Sequence, residues 1–138
     1  MEFRGISSYH DSVCGAQRGH NTIFVIKADG LNLCHLGDLG HTLNSDKLAE
    51  IGDVDILFIP VGGFYTINSS QANQIIKDIN PKIAIPMHYK TKAIKFSIDP
   101  VEVFLSDKDN VQKMESNEFE IKDGTLPKNT QIYVLEYE

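Results

Sequence analysis

The sequence has only two cysteines, Cys14 and Cys34, and no Cys-x-x-Cys pair. The structural zinc sites built on that spacing are therefore excluded. No apolar run approaches the roughly 20 residues that span a bilayer. The opening residues, Met1-Glu2-Phe3-Arg4-Gly5, lack the basic and apolar regions of a signal peptide. Reduced thiols and a cytoplasmic location are the resulting expectation. Basic residues are scarce as well: 13 Lys and Arg stand against 19 Asp and Glu, for a formal net charge of -6. A nucleic-acid partner needs a concentrated basic footprint. The nearest group here, Lys90, Lys92 and Lys95, reads as a solvated face. No Gly-x-Gly-x-x-Gly turn follows the first strand, which argues against a dinucleotide-binding domain.

What is present suits one ordinary domain. The 138 residues are 41% hydrophobic and 23% charged, near the averages for soluble domains. Neither a repeat nor a linker divides them, so residues 1–138 are expected to form a single unit around one core.

Residues 3–9 alternate in part and read as a strand, and residues 11–19 read as a polar, glycine-containing loop. Residues 21–27 (NTIFVIK) and 31–36 (LNLCHL) flank Asp29-Gly30, the signal of a tight hairpin. Cys34 reads as a small core residue alternating with His35, so one of the two should face the core. Asn44 and Ser45 can cap a short helix that Gly52 ends. Residues 55–60 (DILFIP) and 82–87 (KIAIPM) are near-continuous apolar runs, as in strands covered on both faces. Between them, Asn68 and Gln71 have capping-box spacing, and Ala72, Ile75, Ile76 and Ile79 share one helical face. Asp99-Pro100-Val101-Glu102 predicts another cap, with Asp99 at the cap and a helix to about Asp107. Residues 119–122 and 131–137 read as closing strands. The class is α/β, with helices packed on one face of a mixed sheet.

His10, Asp38 and His88 each follow an apolar strand and open a loop. Strand ends are where open α/β sheets bind ligands. Imidazole and carboxylate are also the donors of a catalytic zinc site. Taken singly, each histidine also fits an ordinary satisfied side chain, and Asp38 fits a turn between glycines. Phe64 and Tyr65, after Gly62-Gly63, can line a pocket or cover the core edge.

The local sequences gain meaning together. Ser8-Tyr9-His10-Asp11, Gly19, Asn21-Thr22, His35-Leu36-Gly37-Asp38-Leu39-Gly40-His41, Ile59-Pro60-Val61-Gly62-Gly63 and Ile85-Pro86-Met87-His88-Tyr89-Lys90-Thr91 occur in that order. The series resembles the metallo-β-lactamase superfamily, in the branch that includes the ascorbate-6-phosphate-lactonase-like hydrolases. The resemblance runs roughly from Phe3 to Lys92. It implies metal-assisted hydrolysis of a small, anionic substrate, with zinc or another divalent metal in a two-metal site. Residue by residue, it implies that His10 completes the first metal's ligands. Asp38 bridges both metals and is the catalytic carboxylate, and His88 serves the second metal. His41 and Lys90 would lie beside the ligands or against the substrate. Gly37 and Gly40 would let the backbone turn sharply beneath Asp38.

One departure sets a limit. The family's His-x-His-x-Asp-His signature is missing, and no His-x-His occurs anywhere in the chain. The expectation is therefore the C-terminal half of a metallo-β-lactamase αββα sandwich. Three donors shared between two metals should bind metal weakly or not at all in this chain alone. Its open sheet face should be covered by a second copy or by an N-terminal half-fold partner. The alternative is a non-catalytic interaction or regulatory module derived from the same fold.

Overall fold

A computed structural model describes residues 1–121 and 124–137. Strand β1 (Glu2–Tyr9) pairs antiparallel with β2 (His20–Ala28), Tyr9 facing His20. A two-residue turn leads from β2 into β3 (Leu31–His35). Asp29 and Gly30 take φ of 51° and 79°, the left-handed pair that a hairpin twisted this way needs. From β3 onward the pairing is parallel. The helix α1 (Ser45–Ile51) precedes β4 (Ile56–Pro60), and α2 (Ser69–Ile79) precedes β5 (Ile83–Met87). Helix α3 (Val101–Leu105), β6 (Val111–Lys113) and β7 (Gln131–Val134) follow. The sheet order is β1-β2-β3-β4-β5-β7-β6.

The two sheet faces differ in their cover. On β4, Leu57 and Ile59 pack with Cys34, Ala84 and Ile132 against Ile51 of α1, Ala72 and Ile75 of α2, and Phe104 of α3. The alternate residues Ile56 and Phe58 join Ile83 and Ile85 on the opposite face, under Phe119, Ile121 and Leu126 of the C-terminal segment, so over β4 and β5 the face expected to lie open is covered by the chain itself. The helices thus occupy one face of a mixed sheet, as the sequence pattern predicts. Cys34 takes the helix side, and His35 stacks on Phe58 at 5.6 Å on the other.

Helices α1 and α2 are bounded by caps that the sequence announces. Asn44 accepts from the Lys47 N–H, and Gly52 ends α1 with φ 76°. Asn68 and Gln71 form the complete capping box of α2, and Asn80 ends it in the left-handed conformation before Pro81. The C-terminal third differs from expectation. Asp99 does not cap α3: Pro100 holds that position without a side-chain bond, and the helix ends at Leu105. The Asp99 backbone is engaged elsewhere, donating to Gly62 O and accepting from Lys90 N. Residues 119–121 are not a strand, because they cross over the sheet face as a hydrophobic cover (Lys122 lies outside the described residues). The parallel edge strand is instead β6, a polar three-residue segment with no apolar pattern to reveal it. Strand β7 stops at Val134, short of Tyr137.

Two outcomes check this packing. Replacing Asn68 with alanine should cost about 1 kcal/mol in urea unfolding, through loss of the cap. Cys34 is fully buried, and burial pushes its thiol up to about 12, whereas Cys14 is exposed. Ellman's reagent at pH 8 should therefore label one thiol in the native protein and two in denaturant.

Candidate metal centre

The register places three chain segments at one sheet edge. Strands β3, β4 and β5 run parallel, so their C-terminal ends lie together. Strand β1 runs antiparallel to β2, which is itself antiparallel to β3, so the end of β1 joins that edge. His10, Asp38 and His88 each open the loop leaving one of these ends.

Two glycines bring the loops into contact. A Cβ on Gly40 would lie 2.3 Å from both His10 C and Asp11 N, and the Gly40 N–H donates to Tyr9 O at 3.0 Å. A Cβ on Gly62 would lie 2.2 Å from His88 O, which accepts from the Gly62 N–H at 3.1 Å. Gly37 is the residue that needs left-handed backbone here, with φ 60°. Gly40 does not: it is required for space against His10, not for a turn.

Asp38 is held by its own backbone. The Asn21 amide group donates to Ser8 Oγ and Leu36 O, while Asn21 Oδ1 accepts from the Asp38 N–H at 2.9 Å. One side chain thereby ties β1, β2 and the Asp38 turn. The Asp38 carboxylate is left half-exposed, with Oδ1 3.9 Å from His88 Nε2. That is too long for a hydrogen bond, so neither group is committed to the other. His88 itself takes φ 52°, a left-handed conformation that a non-glycine residue adopts at a cost.

Two imidazole nitrogens at this edge, His10 Nε2 and His88 Nδ1, are buried without a hydrogen-bond partner among the described residues. Leaving such a group dry and unpaired is unfavourable, and a cation or water would relieve it. The donor chemistry therefore suits a divalent metal. The number does not complete a site: among the described residues no three His, Cys, Asp or Glu side chains are grouped closely enough to hold an ion.

The neighbouring residues are already occupied. His41 Nδ1 meets Thr42 O at 2.7 Å, so that nitrogen carries the proton, and Nε2 accepts from the Tyr9 N–H at 3.2 Å. His41 thus fixes the chain one residue before His10. Lys90 Nζ donates to Phe96 O. The His35 pKa is lowered by burial, against the opposing charge of Asp38, and its Nδ1 accepts from the Gly37 N–H.

The sequence reading assigned no role to Asn21 or Asp11. Asp11 is buried, and burial alone would raise its pKa. The N–H groups of Arg18, Gly15, Val13 and Gln17 outweigh this and lower it from 3.8 to about 2. Both carboxylate oxygens accept two bonds, at 2.7–2.9 Å. An acid opening a glycine-containing loop was the available signal.

Comparison with known proteins gives the family and the fold. Residues 1–88 match the family described as the β-lactamase superfamily domain. The chain belongs to that family. A metal-dependent hydrolase of Carboxydothermus hydrogenoformans is 43% identical over 68 residues, covering 49% of this chain and 30% of its own. One from Alkaliphilus metalliredigens is 39% identical over 79 residues, 57% of this chain and 34% of its own. The chain spans about a third of the length of these curated relatives. Among solved structures, a Thermotoga maritima protein assigned as a Zn-dependent hydrolase of the metallo-β-lactamase superfamily is 38% identical. It superposes with TM-score 0.83 over 96% of this chain and 63% of its own. A metallo-β-lactamase fold protein of Bacillus subtilis, 10% identical, shares the fold at TM-score 0.56, over 97% of this chain and 46% of its own. The fold of this β-lactamase superfamily domain is thus that of the metallo-β-lactamases.

Two perturbations should be telling. Gly40→Ala should destabilise the protein by about 1–3 kcal/mol, since its methyl group meets backbone that cannot yield locally. The Asp11 carboxyl has a folded pKa below its unfolded one. Its stabilisation is therefore complete above about pH 4 and lost as pH falls towards about 2. Asp11→Asn should lower the melting temperature at pH 7 and flatten that acid limb.

Proposed function

We propose that this domain is the part of a metal-dependent hydrolase that supplies His10, Asp38 and His88 to a divalent metal centre of the zinc type. The observation carrying the reading is the uncommitted pair of Asp38 Oδ1 and His88 Nε2, with the orphaned Nε2 of His10 at the same sheet edge. Relatives named as metal-dependent hydrolases support it. Bound metal would act as a Lewis acid and water activator. The chain's own contribution is to present two imidazoles and a carboxylate from rigid strand ends. Gly40, Gly62, Asn21 and His41 hold those ends, and Asp38 stands half-open to solvent for substrate approach. A small anionic substrate fits a metal-assisted hydrolase, and a lactone or phosphodiester related to the ascorbate-6-phosphate-lactonase branch is the proposed class.

We further propose that the domain acts as a C-terminal half and is inactive alone, in the cytoplasm. Three donors do not satisfy two metals. The sheet face carrying Phe58 is covered by Phe119, Ile121 and Leu126, while Phe3 and Phe24 stay exposed on the first two strands. A second copy, or an N-terminal half-fold chain, would cover these residues. No helix among the described residues is long and apolar enough to cross a membrane. A non-catalytic regulatory module is the second reading, favoured by the incomplete donor set.

With added zinc or manganese, the purified chain should show little or no turnover of a phosphodiester, a lactone or a β-lactam. Robust turnover that Asp38→Ala abolishes contradicts the half-domain reading. Light scattering should give a dimer, and a monodisperse species at 15.4 kDa removes the second copy.

A further inference from the structure

An aromatic and cationic cluster stands at the same sheet edge, and metal binding leaves it unused. The rings of Phe64 and Tyr65 meet edge to face at 4.6 Å, and those of Tyr65 and Phe96 at 5.8 Å. The Arg18 guanidinium lies 5.7 Å from the centre of the Tyr65 ring. Phe64 and Phe96 are 66% and 60% exposed, so folding gains little from either ring.

The backbone fixes this cluster beside the donors. Gly62 bonds to His88 O and accepts from the Asp99 N–H. Five residues further on, the Ile67 N–H donates to Leu39 O, next to Asp38. The loop carrying Phe64 and Tyr65 is therefore stapled between the Asp38 turn and His88. Arg18 belongs to the loop that Asp11 organises, directly after His10. Lys90 Nζ holds the Phe96 carbonyl.

Phe64 has φ 62°, in the left-handed region that a bulky side chain avoids. Neither burial nor backbone preference explains an exposed phenylalanine there. Strain of this kind persists at ligand clamps. Arg18 joins no ion pair among the described residues. A guanidinium stacked on a ring can still donate from its edge to an anion.

We propose that Phe64, Tyr65, Phe96 and Arg18 form a substrate-binding wall that takes a planar aromatic group bearing an anionic substituent. The rings receive the planar group, and Arg18 receives the anion. This names the substrate class for the hydrolase reading and rests on it for its meaning, while the binding needs no metal.

The test uses the full chain with chelator present, followed by amide chemical shifts. The probes are 1-naphthyl phosphate, cyclohexyl phosphate and inorganic phosphate. Naphthyl phosphate should shift Arg18, Gly63, Phe64, Tyr65 and Phe96, and bind about tenfold tighter than cyclohexyl phosphate. Phe64→Gly should remove most of that preference while leaving the melting temperature unchanged or raised, since glycine accepts this φ. Arg18→Gln should weaken both organic phosphates. Equal binding of the two, shifts confined to other residues, or no binding overturns the proposal. So does a Phe64→Gly variant that melts lower yet binds as before. Because neither metal nor turnover enters, such a failure leaves the metal reading standing, and failure to bind metal leaves this wall standing.

Discussion

The structure depends on close backbone approach at one sheet edge. Gly40 lies against His10, and Gly62 against His88, with no room for a Cβ at either place. These contacts join loops that leave β1, β3, β4 and β5. Any larger residue would separate the loops by the width of a side chain. His10, Asp38 and His88 would then stand at strand ends further apart than they do.

Around this constraint, side chains act mainly by satisfying backbone. Asn21 spans three segments to hold the Asp38 amide, His41 holds Tyr9, and Asp11 gathers four N–H groups into a compact loop. Each of these polar groups is fully used. The imidazoles of His10 and His88 are the contrast: their orphaned nitrogens sit in a region where other polar groups are paired. The proposed metal role rests on that imbalance more than on proximity.

The hairpin, α1, α2 and the buried strands were legible because their local signals agree with the tertiary outcome. Asp29-Gly30 gives the turn, Asn68 and Gln71 give the cap, and residues 56–60 and 83–87 are apolar because both sheet faces are covered. The C-terminal third was less legible for physical reasons. Phe119 and Ile121 are apolar because they cover a face, not because they pair in a strand. Asp99 looks like a cap, yet its backbone is taken by Gly62 and Lys90. Of the proposed site, His10, Asp38 and His88 could be named from the family resemblance. Asn21 could not, because its role lies in long-range bonds to Ser8, Leu36 and Asp38 that no local pattern encodes; Asp11 binds only N–H groups of the loop it opens, so its signal was local, an acid heading a glycine-containing loop.

Crystals of the protein soaked in zinc, with anomalous scattering recorded at the zinc edge, test the central claim most directly. The account predicts a partly occupied peak, as weak binding by an incomplete donor set gives, shared by Asp38 Oδ1 and His88 Nε2, with the His10 imidazole at the same edge, and its loss in Asp38→Ala crystals. Zinc found only on other surface carboxylates, with the Asp38–His88 pair unchanged, would contradict it.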